Sequence, residues 1–419
     1  MAAGTQTIRR KPVTVKVIGR GGHLTTRAHN RHLVYHAPTD TWYAFVGTAR
    51  AIVKKAPGAN ALFTSSDGAA WRLRHVFCRG YGTSSSQDAL LAGDTIYLLH
   101  WPNDWQKWDQ RYGGTPGEYP VHYKVRAYTP GKAAGGRLTF RDHTAIRCTN
   151  HQLHFYGSIA HGTDGYLWVG SRFYDKAVER ATMACITRSA RPDDPSAWLE
   201  PVEIGRRRGN SVAPDLSPLP NGRMIAINHY SPFSAKSGKA VIAAATCDPG
   251  KGKWSAETAV ALGNAARRLR GLAEFDPGSG RLHLVYPDRR GDIRHKILSA
   301  PYRRGDWSPK AGVDVPGRLV ARGTDDDLSI ALDGSRSPAT IALVYRRGRT
   351  VYRKDYDGAN WSAEERPIVR LADAEGSTEL SLNLDGSKKL GLLFLDTDGA
   401  RGRTIKFLRL PRRRYAHGR

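Results

Sequence analysis

The stretch from His154 to Tyr174, HFYGSIAHGTDGYLWVGSRFY, reads as two short strands folded back on each other around the turn Gly-Thr-Asp-Gly. Apolar and polar residues alternate on both sides of that turn, the period of a half-buried strand. The construction recurs along the chain in HLVYHAPTDTWYAFVG, ALLAGDTIYLLH, DLSPLPNGRMIAIN, LAEFDPGSGRLHLVY, LSIALDGSRSPATIALVY and LSLNLDGSKKLGLLFL, so there are seven such units. Trp71, Trp198, Trp254, Trp307 and Trp361 each close a unit, about 55 residues apart in the later copies, and Phe140 fills the gap between Trp71 and Trp198. Helical periodicity is nearly absent. Repeated hairpins at this spacing predict an all-β fold, a seven-bladed β-propeller with four antiparallel strands per blade.

The seventh unit ends in RTIKFLRLP and leaves no room for a further strand. The expectation is therefore a single domain over residues 1–410, with the N-terminal strand near VTVKVIG completing the last blade, followed by a basic tail at 411–419. One long interruption, WPNDWQKWDQRYGGTPGEYP at 101–120, falls between the second and third strands of unit two. A loop of that length in a compact domain is usually functional or disordered, and its aromatic content favours function.

The chain has 419 residues, 40% of them hydrophobic and 25% charged, enough to bury a sizeable core. Its 65 Lys and Arg against 38 Asp and Glu leave a formal charge of +27, which favours an anionic partner but does not by itself distinguish one from a solvated basic surface. No run of about 18 apolar residues exists to span a membrane, and the arginines form no recognised nucleic-acid motif. The start, MAAGTQTIRRKPVTVKV, has no apolar leader segment, so either the protein is cytoplasmic or a secretion signal has been cut away and replaced by a start Met. The four cysteines, Cys78, Cys148, Cys185 and Cys247, show no zinc spacing and read as buried free thiols, with a Cys78–Cys148 disulfide as the alternative.

In an antiparallel hairpin, pairing is found by counting outward from the turn. The count sets Tyr156 across from Arg172 at the open end of the third hairpin, with His154 and Tyr174 beyond them. The same end of the other hairpins gathers Arg50, His100, His229, Arg289 and Arg346. Half of any such set is the ordinary polarity of loop faces. In the blander account His154 and Tyr156 only pack between blades.

The segment SSDGAAW, closing on Trp71, resembles a shortened Asp-box, the hairpin turn of sialidase-like propellers, and among the repeats only this copy matches well. Around TDGYLWVGSR the third hairpin is similar to that of seven-bladed polysaccharide lyases of the ulvan lyase and rhamnosyl-glucuronate lyase type, in which a Tyr opens the inner strand and an Arg closes the second. The resemblance implies Tyr156 and Arg172 as catalytic residues, with His100 and its neighbour His122 as the histidines contributed by the preceding blade. The chain departs from that pattern where Ser85, Ser86 and Gln87 replace a His-Asn pair; the pair His29-Asn30 lies one blade further back.

β-Elimination at a 4-linked uronate needs a cation on the carboxylate, a base for the C5 proton and an acid for the departing O4. Arginine suits the first role and tyrosine or histidine the others, with no metal or cofactor required. The expected partner is an anionic carbohydrate bound by a secreted monomer, with His154, Tyr174, His229, Arg50, Arg289 and Arg346 around the substrate and Trp101 and Trp105 as stacking platforms. A glycoside hydrolase would need two carboxyl groups, for which Asp325, Asp326, Glu375 and Asp396 are candidates. A sialidase would need a Tyr-Glu pair, which the sequence does not display. A sugar-binding propeller would need only the aromatic platforms.

Overall fold

The computed structural model describes residues 13–14, 31–49, 58–79, 87–100, 123–131, 138, 140–147, 152–175, 181–208, 210–211, 214–232, 240–249, 252–264, 271–324, 328–333, 340–372, 379–383, 389–398 and 402–410, with backbone alone near several strand ends. They form seven antiparallel sheets arranged as the blades of a propeller. The innermost strands are Leu33–His36, Asp88–Ala92, Gln152–His161, Pro214–Pro218, Leu272–Asp276, Leu328–Asp333 and Ser381–Leu382, numbered here as blades 1 to 7. In blades 3, 4 and 5 the outermost strand is in two pieces, as in Lys253–Trp254 and Thr258–Leu262 of blade 4. In blade 7 the outermost strand is Val13–Thr14, pairing Val13 with Phe407 and Thr14 with Lys406.

The aromatic that closes each repeat packs against the preceding blade, which explains its spacing. Trp71 meets Phe407 of blade 7 edge-on with ring centroids 5.2 Å apart, Phe140 meets Phe77 of blade 1 at 5.0 Å, and Trp254 meets Trp168 of blade 3 at 6.0 Å. Trp307 enters the cluster of Leu219 and Ile225 in blade 4, and Trp361 stands edge-on to His295 of blade 5 at 5.5 Å. Such contacts combine a large buried area with edge-to-face attraction.

The Asp turn is more widespread than the sequence indicates. Asp67 Oδ1 accepts from the amides of Ala69 and Ala70 at 2.7 and 2.9 Å, and the Trp71 indole donates to the Gly68 carbonyl at 3.1 Å. Asp357 Oδ1 makes the equivalent pair with Ala359 and Asn360, at 2.9 and 2.7 Å, and Asp194 accepts from Ser196 at 2.8 Å. Three turns thus use one carboxylate to satisfy backbone amides that a strand ladder leaves open. Of the cysteines, Cys185 and Cys247 are buried free thiols, whereas a Cys78–Cys148 pairing falls outside the described residues.

The inner strands are stitched to one another around the axis. The Ile159 amide donates to Asp88 at 2.8 Å, the Ser158 hydroxyl to the Pro214 carbonyl at 3.1 Å, and the Ala273 amide to Asp215 at 2.9 Å. The Leu382 amide donates to the Ser329 hydroxyl and the His32 amide to that of Ser381, each at 3.0 Å. Between blades 1 and 2 the link is the ion pair of Arg31 and Asp88, 2.7 Å apart. Arg31, Asp88, Ser158, Asp215, Ser329 and Ser381 are therefore one structural position repeated. Blade 5 places Leu272 there, and a leucine side chain can form no such bond.

Candidate functional site

The hairpin of blade 3 does not keep the register found by counting. Phe155, not Tyr156, is the partner of Arg172, and the ladder resumes at Ser158 with Gly170, so Tyr156 and Gly157 form a bulge. An inserted residue breaks period-two counting, which is why the expected Tyr156–Arg172 pairing is corrected by one position. The bulge is held from blade 2, where the buried Tyr123 hydroxyl accepts from the Gly157 amide at 3.0 Å. A Cβ at Gly157 would meet Tyr123 Cε1 at 2.7 Å and both the Gly170 carbonyl and Leu99 Cδ2 at 2.8 Å. Gly157→Ala is accordingly expected to destabilise the protein by about 1–3 kcal/mol, measured by urea unfolding; an unchanged midpoint would mean that the bulge is not fixed in this way.

Arg172 is half-buried, and the strand holding it, Leu167–Asp175, also carries Tyr174. The side chains of His154, Tyr156 and Tyr174 lie outside the described set, as do residues Arg50, Trp101, Trp105 and His122, and with them Asp325, Asp326 and Glu375. His100 is not brought to this hairpin. It is fully buried, its ring lies 6.2 Å from that of Phe77 in blade 1, and alternation along Thr95–His100 gives it the face of Leu98, which packs in the blade 1–2 seam. Burial, with Arg126 and Lys124 adding to it, holds its pKa well below the ordinary histidine value.

His229 is likewise a seam residue, 1% exposed, with Nε2 3.2 Å from the Asn264 carbonyl and Nδ1 accepting from the Gly271 amide at 3.3 Å. Arg289 is exposed on the turn after Arg281–Pro287, whereas Arg346 is buried. Asp396, a candidate for the hydrolytic pair, is committed elsewhere: it is 4% exposed, accepts from the Ala372 amide at 2.9 Å and pairs with Lys406 at 2.5 Å. A Tyr-Glu pair that the sequence does not display does exist. The Tyr230 hydroxyl lies 2.7 and 2.8 Å from the Glu257 oxygens, but Tyr230 is fully buried and a Cβ at Gly205 would strike both groups, so the pair fastens the blade 3–4 seam.

The structure assembles a second constellation that sequence reading missed. A cavity of about 150 Å³ on the propeller axis is lined by Arg31, Asp215, Glu274, Ser217, Ser329 and Ser381, among others. Arg31 donates from Nε and Nη2 to the two Asp88 oxygens at 2.9 and 2.7 Å, and also to the Ile159 carbonyl. Burial raises the Asp215 pKa well above the ordinary carboxylate range; the Ala273 amide works against that shift and Glu274 adds to it. Burial likewise pushes Glu274 up to about 7 against the pull of Arg31. Glu274 can therefore hold a proton near neutrality and donate a hydrogen bond to a hydroxyl or an oxyanion, and burial shifts Asp215 in the same direction. The signal available in the sequence was the recurrence of Arg31, Asp88 and Asp215 at one repeat position, Arg31 and Asp88 being 57 residues apart; Glu274 stands two residues past that position in blade 5 and carried no such signal. Among the described residues no group of three or more His, Cys, Asp or Glu is placed to hold a metal ion.

The Glu274 shift has a testable sign. The unfolded chain ionises this group near 4.5 and the folded protein only near 7, so its contribution to stability falls as pH rises through that window. Glu274→Gln is expected to flatten that decline, by up to about 3 kcal/mol at the upper end, read from urea midpoints at several pH values. A slope identical to that of the wild type would refute the buried, protonated carboxyl.

No protein-family model matches the chain, and no curated protein matches it. Solved structures do resemble it. A lectin from Burkholderia pseudomallei is 11% identical, covering 91% of this chain and 96% of that one, with a TM-score of 0.55. The polysaccharide lyase Uly1 is 10% identical over 97% of this chain and 93% of that one, with a TM-score of 0.48. An α-L-arabinofuranosidase from Fusarium graminearum is 12% identical over 77% and 91%, with a TM-score of 0.46. At these identities the likeness shows the propeller fold alone, and neither a sialidase-type family nor a lyase family is singled out. No helix among the described residues is long and apolar enough to cross a membrane.

Proposed function

We propose that the protein is a secreted carbohydrate-active enzyme that cleaves an acidic, uronate-containing polysaccharide by β-elimination at the open end of the blade 3 hairpin. The observation that carries this reading is the Tyr156–Gly157 bulge beside Arg172, pinned by Tyr123. Bulges re-aim side chains and are over-represented next to active sites. Arg172 would bind the uronate carboxylate with its planar fork and stabilise the enediolate formed when C5 loses its proton. Tyr156 and His122 would share the base and acid roles, and Trp101 and Trp105 would stack against neighbouring sugar rings. The net charge of +27 supports an anionic chain as the partner.

A second reading, hydrolysis by a carboxyl pair, is favoured by one observation: Asp215 and Glu274 line the same cavity and both have raised pKa values. Incubation with a panel of uronate polysaccharides separates the two. Elimination produces the ultraviolet absorbance of an unsaturated uronate, hydrolysis produces reducing ends without it, and neither product would leave a sugar-binding propeller.

A further inference from the structure

We propose that the seam between blades 5 and 6 is an acid-sensitive joint of the ring, closed by a directional hydrogen-bond relay from Trp361 through His295 to His283. This seam is where Leu272 replaces the polar residue that stitches neighbouring inner strands elsewhere, so its polar fastening lies further out in the blades. The Trp361 indole N–H lies 3.1 Å from His295 Nδ1, and His295 Nε2 lies 3.0 Å from His283 Nδ1. An indole nitrogen can only donate, so His295 Nδ1 must accept. The single proton of neutral His295 is then on Nε2 and is given to His283 Nδ1, which leaves the His283 proton on Nε2. One donor at the blade 6 end therefore fixes both tautomers in blade 5.

The relay is closed off from water. His283 and His295 are 3% and 2% exposed, their rings stack 5.2 Å apart at 13°, and Tyr356 of blade 6 lies against them at 5.4 and 5.2 Å. A second proton on His295 would set Nδ1–H against the indole N–H, and one on His283 would set Nδ1–H against the His295 N–H. Either event turns an attraction into a donor–donor clash in a buried site. The charged groups facing the pair are Asp276 and Arg281 around His283, and Arg318 near His295. Burial lowers His283 to about 4, opposed by Asp276 and aided by Arg281. Burial lowers His295 to about 3, aided by His283 and Arg318.

The sign follows from linkage. In the unfolded chain these imidazoles bind protons near 6.5, whereas the folded relay refuses them until the pH is far lower. Stability is fully present above 6.5 and is lost progressively as pH falls toward 4 and below. His283 is also the register partner of Glu274 on the cavity wall, so the joint stands one strand away from the axial site.

The test uses the full chain. Long-range ¹H–¹⁵N NMR at neutral pH should show both His283 and His295 as the Nε2–H tautomer, and urea midpoints should fall between pH 7 and pH 4.5 in Glu274→Gln, which removes the opposing contribution of that carboxyl. Trp361→Phe keeps an aromatic wall but removes the donor that fixes the relay, so His295 should lose its single tautomer. His283→Phe should show a shallower loss of midpoint with acid than the wild type. An Nδ1–H tautomer at His295, or an acid slope unchanged in His283→Phe, would overturn the proposal. Should either variant fail to fold, the tautomers in the wild type decide it.

Discussion

Tyr156→Phe is expected to lower β-elimination by about 10²–10⁴-fold, the usual cost of deleting a general acid or base. The substitution removes one hydroxyl and little volume, so the unfolding midpoint should hold while turnover falls. Arg172→Lys is expected to be comparably severe, because an ammonium cannot reproduce the two-pronged contact of guanidinium with carboxylate. Initial rates of unsaturated-product formation on a responsive uronate polysaccharide measure both. If Tyr156→Phe retained near-normal elimination, the blade 3 mechanism would fail. If the wild type instead released reducing ends without unsaturation, Glu274→Gln and Asp215→Asn would become the informative variants.

Asp88→Ala should have the largest effect on stability. Asp88 is fully buried, receives Arg31 Nε and Nη2, and also accepts from the amides of Arg31 at 2.8 Å and of Ile159 at 2.8 Å. Truncation would leave the guanidinium without its counter-charge and cut the Asp88 side-chain links to both neighbouring blades, leaving the Ala89 amide on the Arg31 carbonyl. Removing one partner of a buried ion pair typically costs about 3–5 kcal/mol. Urea unfolding should show that loss, and Arg31→Met with Asp88→Leu should recover part of it, since an apolar pair strands no charge. A single-variant loss no greater than that of an exposed ion pair would mean that water reaches this pair.

The number of blades and the placement of each closing aromatic were legible in the sequence. Both are local or periodic features: alternation marks the strands, Gly and Asp mark the turns, and Trp recurs because each blade must cover its predecessor. The Asp turns were only partly legible, because DPSAW and YDGANW depart from SSDGAAW in composition while their carboxylates satisfy the same kind of amide.

The sites were decided by tertiary structure. Counting outward from the Gly-Thr-Asp-Gly turn assumes an unbroken ladder, but the Tyr123 hydroxyl of blade 2 stabilises an inserted residue at Tyr156–Gly157, a contact invisible within the hairpin itself. Counting also places His100 at the correct end of its strand without saying which neighbour it faces. The sheet face that carries Leu98 turns it toward Phe77 and away from blade 3. Arg31, Asp215 and Glu274 look unrelated along the chain, and only closure of the ring brings them to one axial cavity. There the shared burial of charge, which no single blade imposes, raises the carboxyl pKa values and leaves Arg31 held by Asp88.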